Sequence, residues 1–230
     1  MSYFVTGTDT GVGKTLVSCA LLHAFAAQDK LVVGFKPVAT GCDDNDHNDD
    51  AERLRAASNV PASYGQINPY CFVPPIALHI AARYSGVRIE LSRILASYGE
   101  LTSLADEVIV EGAGGFLVPL NEKQDSSDLA QRLDLPVILV VGMRLGCINH
   151  ALLTMRVIAD CGLSCAGWVA NEMTAGMPAL KENIEALQQR IDAPLLGVVP
   201  YQATPDARAV AKMLDIDLLK KEDDEIDPAG

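Results

Sequence analysis

Tyr3-Phe4-Val5-Thr6-Gly7-Thr8-Asp9-Thr10-Gly11-Val12-Gly13-Lys14-Thr15, running on into Leu16-Val17-Ser18-Cys19-Ala20-Leu21-Leu22, decides the fold. An apolar strand-like run, a glycine-rich turn and a helix apolar around most of its circumference follow one another without a gap. In that order they form a phosphate cradle. The glycines let backbone N–H groups turn inward and the helix N-terminus adds positive potential. Lys14 is placed to reach the outer phosphates and the Thr15 hydroxyl to ligate Mg²⁺. The common motif has four residues between its first glycine and Gly-Lys-Thr; here five, Thr8 to Val12, separate Gly7 from Gly13. The spacing points to a variant subgroup of the loop.

Outward from this stretch the chain alternates strand and helix. Apolar runs at 31–35, 108–110, 137–141, 166–170 and 195–199 are continuous rather than alternating, as in parallel strands covered on both faces. Helices are expected at 51–57, 91–104, 127–133, 147–161 and 178–191, and residues 60–90 read as loop with short elements. The rhythm predicts a doubly wound, three-layer α/β/α domain over residues 1–219, P-loop NTPase-like, with a mostly parallel sheet of about seven strands. Residues 220–230 read as a charged, frayed tail.

Ligands of such sheets collect beyond the C-terminal strand ends. The second strand ends at Lys36, either a solvated terminus or, beside a phosphate loop, a charge for a transferring phosphoryl group. Another strand ends at Glu111, which suits a Mg²⁺ ligand. Gly112-Ala113-Gly114-Gly115 then allows either close approach to a ligand or a tight turn. Asp50 is either an N-cap or part of the metal shell. His79 and His150 read as structural or solvated.

The chain has 230 residues, 49% of them hydrophobic and 21% charged, enough for one domain with a sizeable core. Its net charge of −12 argues against nucleic acid or an anionic membrane surface as partner. No secretory leader and no run approaching about 18 apolar residues is read. The six cysteines show no zinc-like pairing, and several sit in apolar contexts typical of buried free thiols, which points to a reducing cytoplasm.

Gly7–Thr15, Gly34–Gly41, Val110–Gly115, Leu139–His150 and Gly167–Asn171 together resemble dethiobiotin synthetase, over about residues 2 to 201. The resemblance implies a cytoplasmic, ATP-dependent ligase that forms carbon–nitrogen bonds. One amine of 7,8-diaminononanoate takes up CO₂ as a carbamate, ATP phosphorylates the carbamate, and the second amine displaces phosphate to close the ureido ring. Lys36 and Lys14 are then the catalytic lysines. Nucleotide contacts fall to Gly11, Val12, Gly13, Lys14, Thr15, Leu16, Asp50, Glu111, Gly112, Ala113, Gly114, Asn171, Pro200 and Tyr201. Mg²⁺ falls to Thr15, Asp50 and Glu111, and the diamine or its carbamate to Thr40. Gly146, Cys147, Ile148 and Asn149 would hold the substrate carboxylate from the neighbouring subunit, which implies a homodimer. In the adenine-side loop, Gln202, Asp206 and Ala207 remain open.

Physical chemistry agrees with that reaction. A carbamate is already an oxyanion nucleophile, so the transfer needs positioning and charge neutralisation rather than a protein nucleophile. Two rivals share the loop. A ParA/MinD-like positioning or partitioning ATPase would carry a lysine where Asp9 stands and a basic amphipathic C-terminal helix, and neither is read. An amidotransferase-type synthetase would need a further glutaminase domain.

Overall fold

The structure is a computed structural model that describes residues 2–220, with the backbone alone at Lys220. The tail read at 220–230 lies, past Lys220, outside the described residues. The chain runs β1 (Tyr3–Gly7), α1 (Lys14–Ala26), β2 (Val32–Phe35), β3 (Val38–Thr40), α2 (Asp49–Ala57), α3 (Tyr64–Ile67), β4 (Tyr70–Phe72), α4 (Leu78–Tyr84) and α5 (Leu91–Thr102). It continues with β5 (Glu107–Glu111), α6 (Ser126–Leu133), β6 (Val137–Met143), α7 (Cys147–Asp160), β7 (Cys165–Glu172), α8 (Leu180–Gln188), β8 (Leu195–Val199) and α9 (Ala207–Ala211).

The main sheet is parallel, in the order β2-β5-β1-β6-β7-β8. It has six strands among the described residues, not about seven. Past Lys36 the chain meets Pro37, which has no N–H to extend the ladder, and Val38–Thr40 leaves the sheet to pair with Tyr70–Phe72 in a separate two-stranded unit. The segment 60–90 carries α3, β4 and α4, the short elements expected there. Helix α9 and a 3₁₀ turn at Ile216–Lys220 are additions that the sequence pattern did not signal.

Every residue of β1, β2, β5 and β6 is buried, which is why these strands read as unbroken apolar runs. One core layer gathers Phe35, Ile67, Tyr70, Ile94 and Leu101, and the opposite layer Val17, Leu21, Leu22, Phe25, Leu196 and Val210. Helix α2 lies close over β2 because Gly34 has no side chain. A Cβ there would stand 2.7 Å from the Leu54 Cβ. Ala51, Leu54 and Ala57 form the buried stripe of α2, and its other face is left to carry Asp50 towards the sheet edge.

Candidate active site

The parallel register assembles the site. Val5 pairs with Glu111 and Phe35 with Val110, so the residue after β2, Lys36, comes level with Glu111 at the C-terminal edge beside the loop that follows β1. The strand order turns outward in both directions from β1, and the site sits at that switch point.

A cavity of about 550 Å³ opens there. It brings together Gly11, Gly13, Lys14, Thr15, Leu16, Lys36, Thr40, Asp50, Glu111, Ala113, Gly114, Asn171, Pro200 and Tyr201 from the sequence-based set. Val12 is buried beneath it and contributes its carbonyl oxygen, which accepts from Asn171 Nδ2 at 2.8 Å. Gly112 lines an adjoining recess, its carbonyl 3.5 Å from Lys36 Nζ. Gly146, Cys147, Ile148 and Asn149 do not line the cavity of this chain. In the loop after β8, expected on the adenine side, Gln202 and Pro205 line the cavity, whereas Asp206 caps α9 and Ala207 begins it.

Where the glycine-rich loop meets α1, Gly13 is the N-cap of the helix, in the left-handed region at φ 92°, and no side chain caps it. The first-turn N–H groups therefore keep their capacity for an anion. A Cβ at residue 13 would fall 2.2 Å from Asn171 Nδ2, so this close approach requires glycine as much as the φ does. Lys14 Nζ donates to the carbonyls of Asp9 and Gly114. Burial, then the nearby Lys36 charge, lowers its pKa to about 8.

Beside it lies a buried charge cluster. Lys36 Nζ donates to Glu111 Oε1 at 2.6 Å and to Asp50 Oδ2 at 3.0 Å, and Thr15 Oγ1 donates to Glu111 Oε1 at 2.8 Å. Lys36 is 3% exposed and Glu111 0%. Burial disfavours the charge on Lys36, but the Glu111 and Asp50 carboxylates outweigh it and hold its pKa above the ordinary lysine value. Burial likewise opposes ionisation of Asp50, and the Lys36 ammonium with the Thr15 hydroxyl outweighs it, keeping that carboxyl below its ordinary range.

Asp50 is not the N-cap of α2. Asn48 is, its side chain accepting from the N–H groups of Asp50 and Ala51 at 3.1 and 3.3 Å. Asn48 also donates to the Thr40 carbonyl at 3.1 Å, so one side chain fixes two candidate site residues. The backbone of Lys36 is held from the opposite side, where its carbonyl accepts from Asn68 Nδ2 at 2.6 Å and its N–H donates to Ile67.

A hard cation suits this donor set. Thr15, Asp50 and Glu111 offer only oxygen, and Glu111 Oε2 is a buried atom with no hydrogen-bond partner among the described residues.

Sequence reasoning missed Asn48, Arg53 and Glu172, all of which line the cavity, and left Gln202, which also lines it, undecided against Asp206 and Ala207. Asn48 was legible as a cap signal in Asn48-Asp49-Asp50. Glu172 accepts from the N–H groups of Met177 and Tyr201, each at 3.2 Å, and thereby ties the loop after β7 to the loop after β8. Those bonds hold its carboxyl below the ordinary glutamate value. Nothing in a single sequence signals that pairing. At Cys42 and Cys71 the free-thiol reading is corrected, because the two form a disulfide between the segment just after β3 and the middle of β4.

A family profile described as an AAA domain matches residues 1–208. The ATP-dependent dethiobiotin synthetase BioD of Nitrosospira multiformis is 59% identical over 214 residues, 93% of this chain and 94% of that protein. The same-named protein of Aromatoleum aromaticum is 53% identical over 216 residues, covering 93% and 96%. That of Xanthomonas oryzae pv. oryzae is 46% identical over 220 residues, covering 94% and 97%. Among solved structures, the MinD cell division protein of Aquifex aeolicus aligns with a TM-score of 0.57 at 15% identity over 95% of each chain. A ParA family ATPase from Chlorobium tepidum gives 0.54 at 13% identity, over 96% of this chain and 93% of that one. At such identities the likeness is one of fold alone.

Proposed function

This chain belongs to the ATP-dependent dethiobiotin synthetase family, and we propose that the cavity between Lys14, Lys36 and Thr40 carries that reaction on 7,8-diaminononanoate, CO₂ and Mg-ATP. The observation that carries the reading is the convergence of two buried lysines with Thr15, Asp50 and Glu111 at one switch point. Dethiobiotin synthesis demands a phosphoryl transfer to an oxyanion, and such a site supplies charge rather than a nucleophile.

The chemistry follows from these positions. One substrate amine adds to CO₂ and loses a proton, giving a carbamate beside Thr40 and the Gly112–Gly114 backbone. A carbamate oxygen attacks the γ-phosphorus, and the bond to the β-phosphate oxygen breaks to release ADP. The lone pair of the second amine then attacks the carbamoyl carbon, phosphate leaves with the C–O bond pair, and the amine gives up its proton as the ring closes. Lys36, with its raised pKa, remains an ammonium throughout and serves as a fixed charge rather than a base. Lys14 and the uncapped N–H groups of α1 hold the β- and γ-phosphates. Thr15, Asp50 and Glu111 would hold Mg²⁺, which when bound neutralises phosphate charge. For the base, Asn171 commits its amide NH₂ to Val12, which leaves its amide oxygen as an acceptor for an exocyclic amine such as that of adenine. Pro200, Tyr201 and Gln202 flank that position.

Gly146–Asn149 form the uncapped start of α7 and lie away from this chain's cavity, with Leu145 beside them fully exposed. A second copy that brings this helix N-terminus to the substrate carboxylate accounts for both features, so the working form is a homodimer in the cytoplasm.

The test is direct. Purified protein given diaminononanoate, bicarbonate, Mg²⁺ and ATP is expected to release ADP and a cyclic urea. ADP release that ignores the diamine removes the synthetase reading. Mixing a Lys36→Ala chain with an Asn149→Ala chain, each impaired alone, is expected to restore part of the activity through hybrid dimers, and no recovery removes the shared site.

A further inference from the structure

The disulfide lies outside the lining of the cavity and joins the segment just past Thr40 to β4. Cys42 and Cys71 lie 29 positions apart, with α-carbons 6.0 Å from each other. Cys42 follows Thr40 and Gly41 directly, and Cys71 is the middle residue of β4, paired in register with Ala39. From Cys42 the chain runs through exposed Asp43–Asp46 to Asn48 and Asp50, and Asn48 reaches back to the Thr40 carbonyl. The bond therefore closes one end of a loop whose other end carries the cap that fixes Thr40 and Asp50. A second connection runs through Tyr64, whose hydroxyl accepts from the Asn48 N–H at 2.7 Å and lies 3.9 Å from Cys71 Sγ.

The fold does not depend on this bond. Strands β3 and β4 are already paired from Val38–Tyr70 to Thr40–Phe72, and the Cys42 N–H donates to the Phe72 carbonyl at 3.1 Å. A cross-link superfluous to the strands but adjacent to the loop acts on the loop. Cys42 is 5% exposed and Cys71 half-buried, which makes Cys71 the more exposed residue of the pair. Of the remaining thiols, Cys19 and Cys147 are buried, and burial, then the Glu111 charge, pushes the Cys19 thiol up to about 12; Cys161 and Cys165 are half-buried but belong to the end of α7 and the start of β7, not to this loop.

We propose that Cys42 and Cys71 form a reversible thiol–disulfide site, exchanging with a low-molecular-weight couple such as glutathione and its disulfide, that sets how firmly the diamine end of the cavity is held. The two cysteine thiols give up two electrons and two protons and form one S–S bond, while one glutathione disulfide takes them up and becomes two glutathione thiols. The reverse exchange starts at Cys71 and frees the 42–48 loop. The inference rests on the reading of Thr40 and Asp50 as diamine-side and metal-side residues. With the bond open, the loop must be ordered again on binding. The diamine KM is then expected to rise about three- to tenfold, the scale of one or two side chains immobilised, with kcat little changed.

The full-length protein, equilibrated in a series of glutathione buffers, tests this by alkylation and mass spectrometry, by amide exchange, and by diamine-dependent ADP release. One cross-link, Cys42–Cys71, is expected to open and close across the series. Amide protection of residues 42–50 and the diamine KM should follow the same midpoint. A Cys42→Ser/Cys71→Ser variant should stay at the reduced values in every buffer. No cross-link in oxidised glutathione, a cross-link that reduced glutathione never opens, or unchanged 42–50 protection between the two states overturns the proposal. So does a KM identical in both states. If no buffer yields diamine-dependent turnover, the synthetase reading fails, and the cross-link map and exchange data still decide the thiol site.

Discussion

Lys36, the residue after β2, and Glu111, which ends the neighbouring parallel strand β5, meet at 2.6 Å in an interior where neither has more than 3% exposure. Removing either partner strands a buried charge, at a cost of about 3–5 kcal/mol. Lys36→Ala is therefore expected to lose stability as well as turnover, and Lys36→Ala/Glu111→Gln to regain most of the stability while remaining inactive. Denaturant unfolding of the two variants checks this, and equal losses in both would separate the pair energetically.

Lys14, with its pKa lowered to about 8 by burial and then by the Lys36 charge, is partly neutral in mildly alkaline buffer before any anion arrives. A triphosphate favours the ammonium, so binding takes up a proton near and above pH 8, and affinity falls as pH rises through that value. Calorimetry at pH 8.5 in buffers of different ionisation enthalpy should register the uptake. Proton-neutral binding there removes Lys14 as the titrating phosphate ligand.

Gly13→Ala combines a left-handed backbone with a methyl group driven onto Asn171 Nδ2. The strain is expected to cost about 1–3 kcal/mol and to weaken nucleotide binding at both the phosphate and the base ends. Adding Asn171→Ala should recover part of the melting temperature without the affinity.

Asn48→Ala removes the α2 cap, for about 1 kcal/mol of stability. Because the same side chain holds the Thr40 carbonyl, the diamine KM should rise while nucleotide affinity in the absence of Mg²⁺ stays near wild type. A purely global loss, shared equally by both ligands, would leave Asn48 as a cap and nothing more.

The sheet and the phosphate end were legible because both rest on local signals. Lys14 and Thr15 belong to one contiguous motif, and Lys36 and Glu111 each close an unbroken apolar run. Asp50 could be named but not placed, since an acid in a helix's first turn serves as cap or ligand equally well, and only the Asn48 contacts separate the two. The base end was harder. Glu172 acts through backbone N–H groups 5 and 29 residues away, and the Cys42–Cys71 bond joins strands whose pairing no periodicity announces.

Because β1 stands between β5 and β6, the residues proposed to handle the transferring phosphate gather on one flank of the cavity and those proposed to hold the nucleobase on the other. Lys36, Asp50 and Glu111 belong to the first group, Asn171, Glu172 and Tyr201 to the second. On that proposal, a change of purine or pyrimidine donor would need alteration of the β7–β8 flank alone, with the residues assigned to the acyl phosphate left as they are.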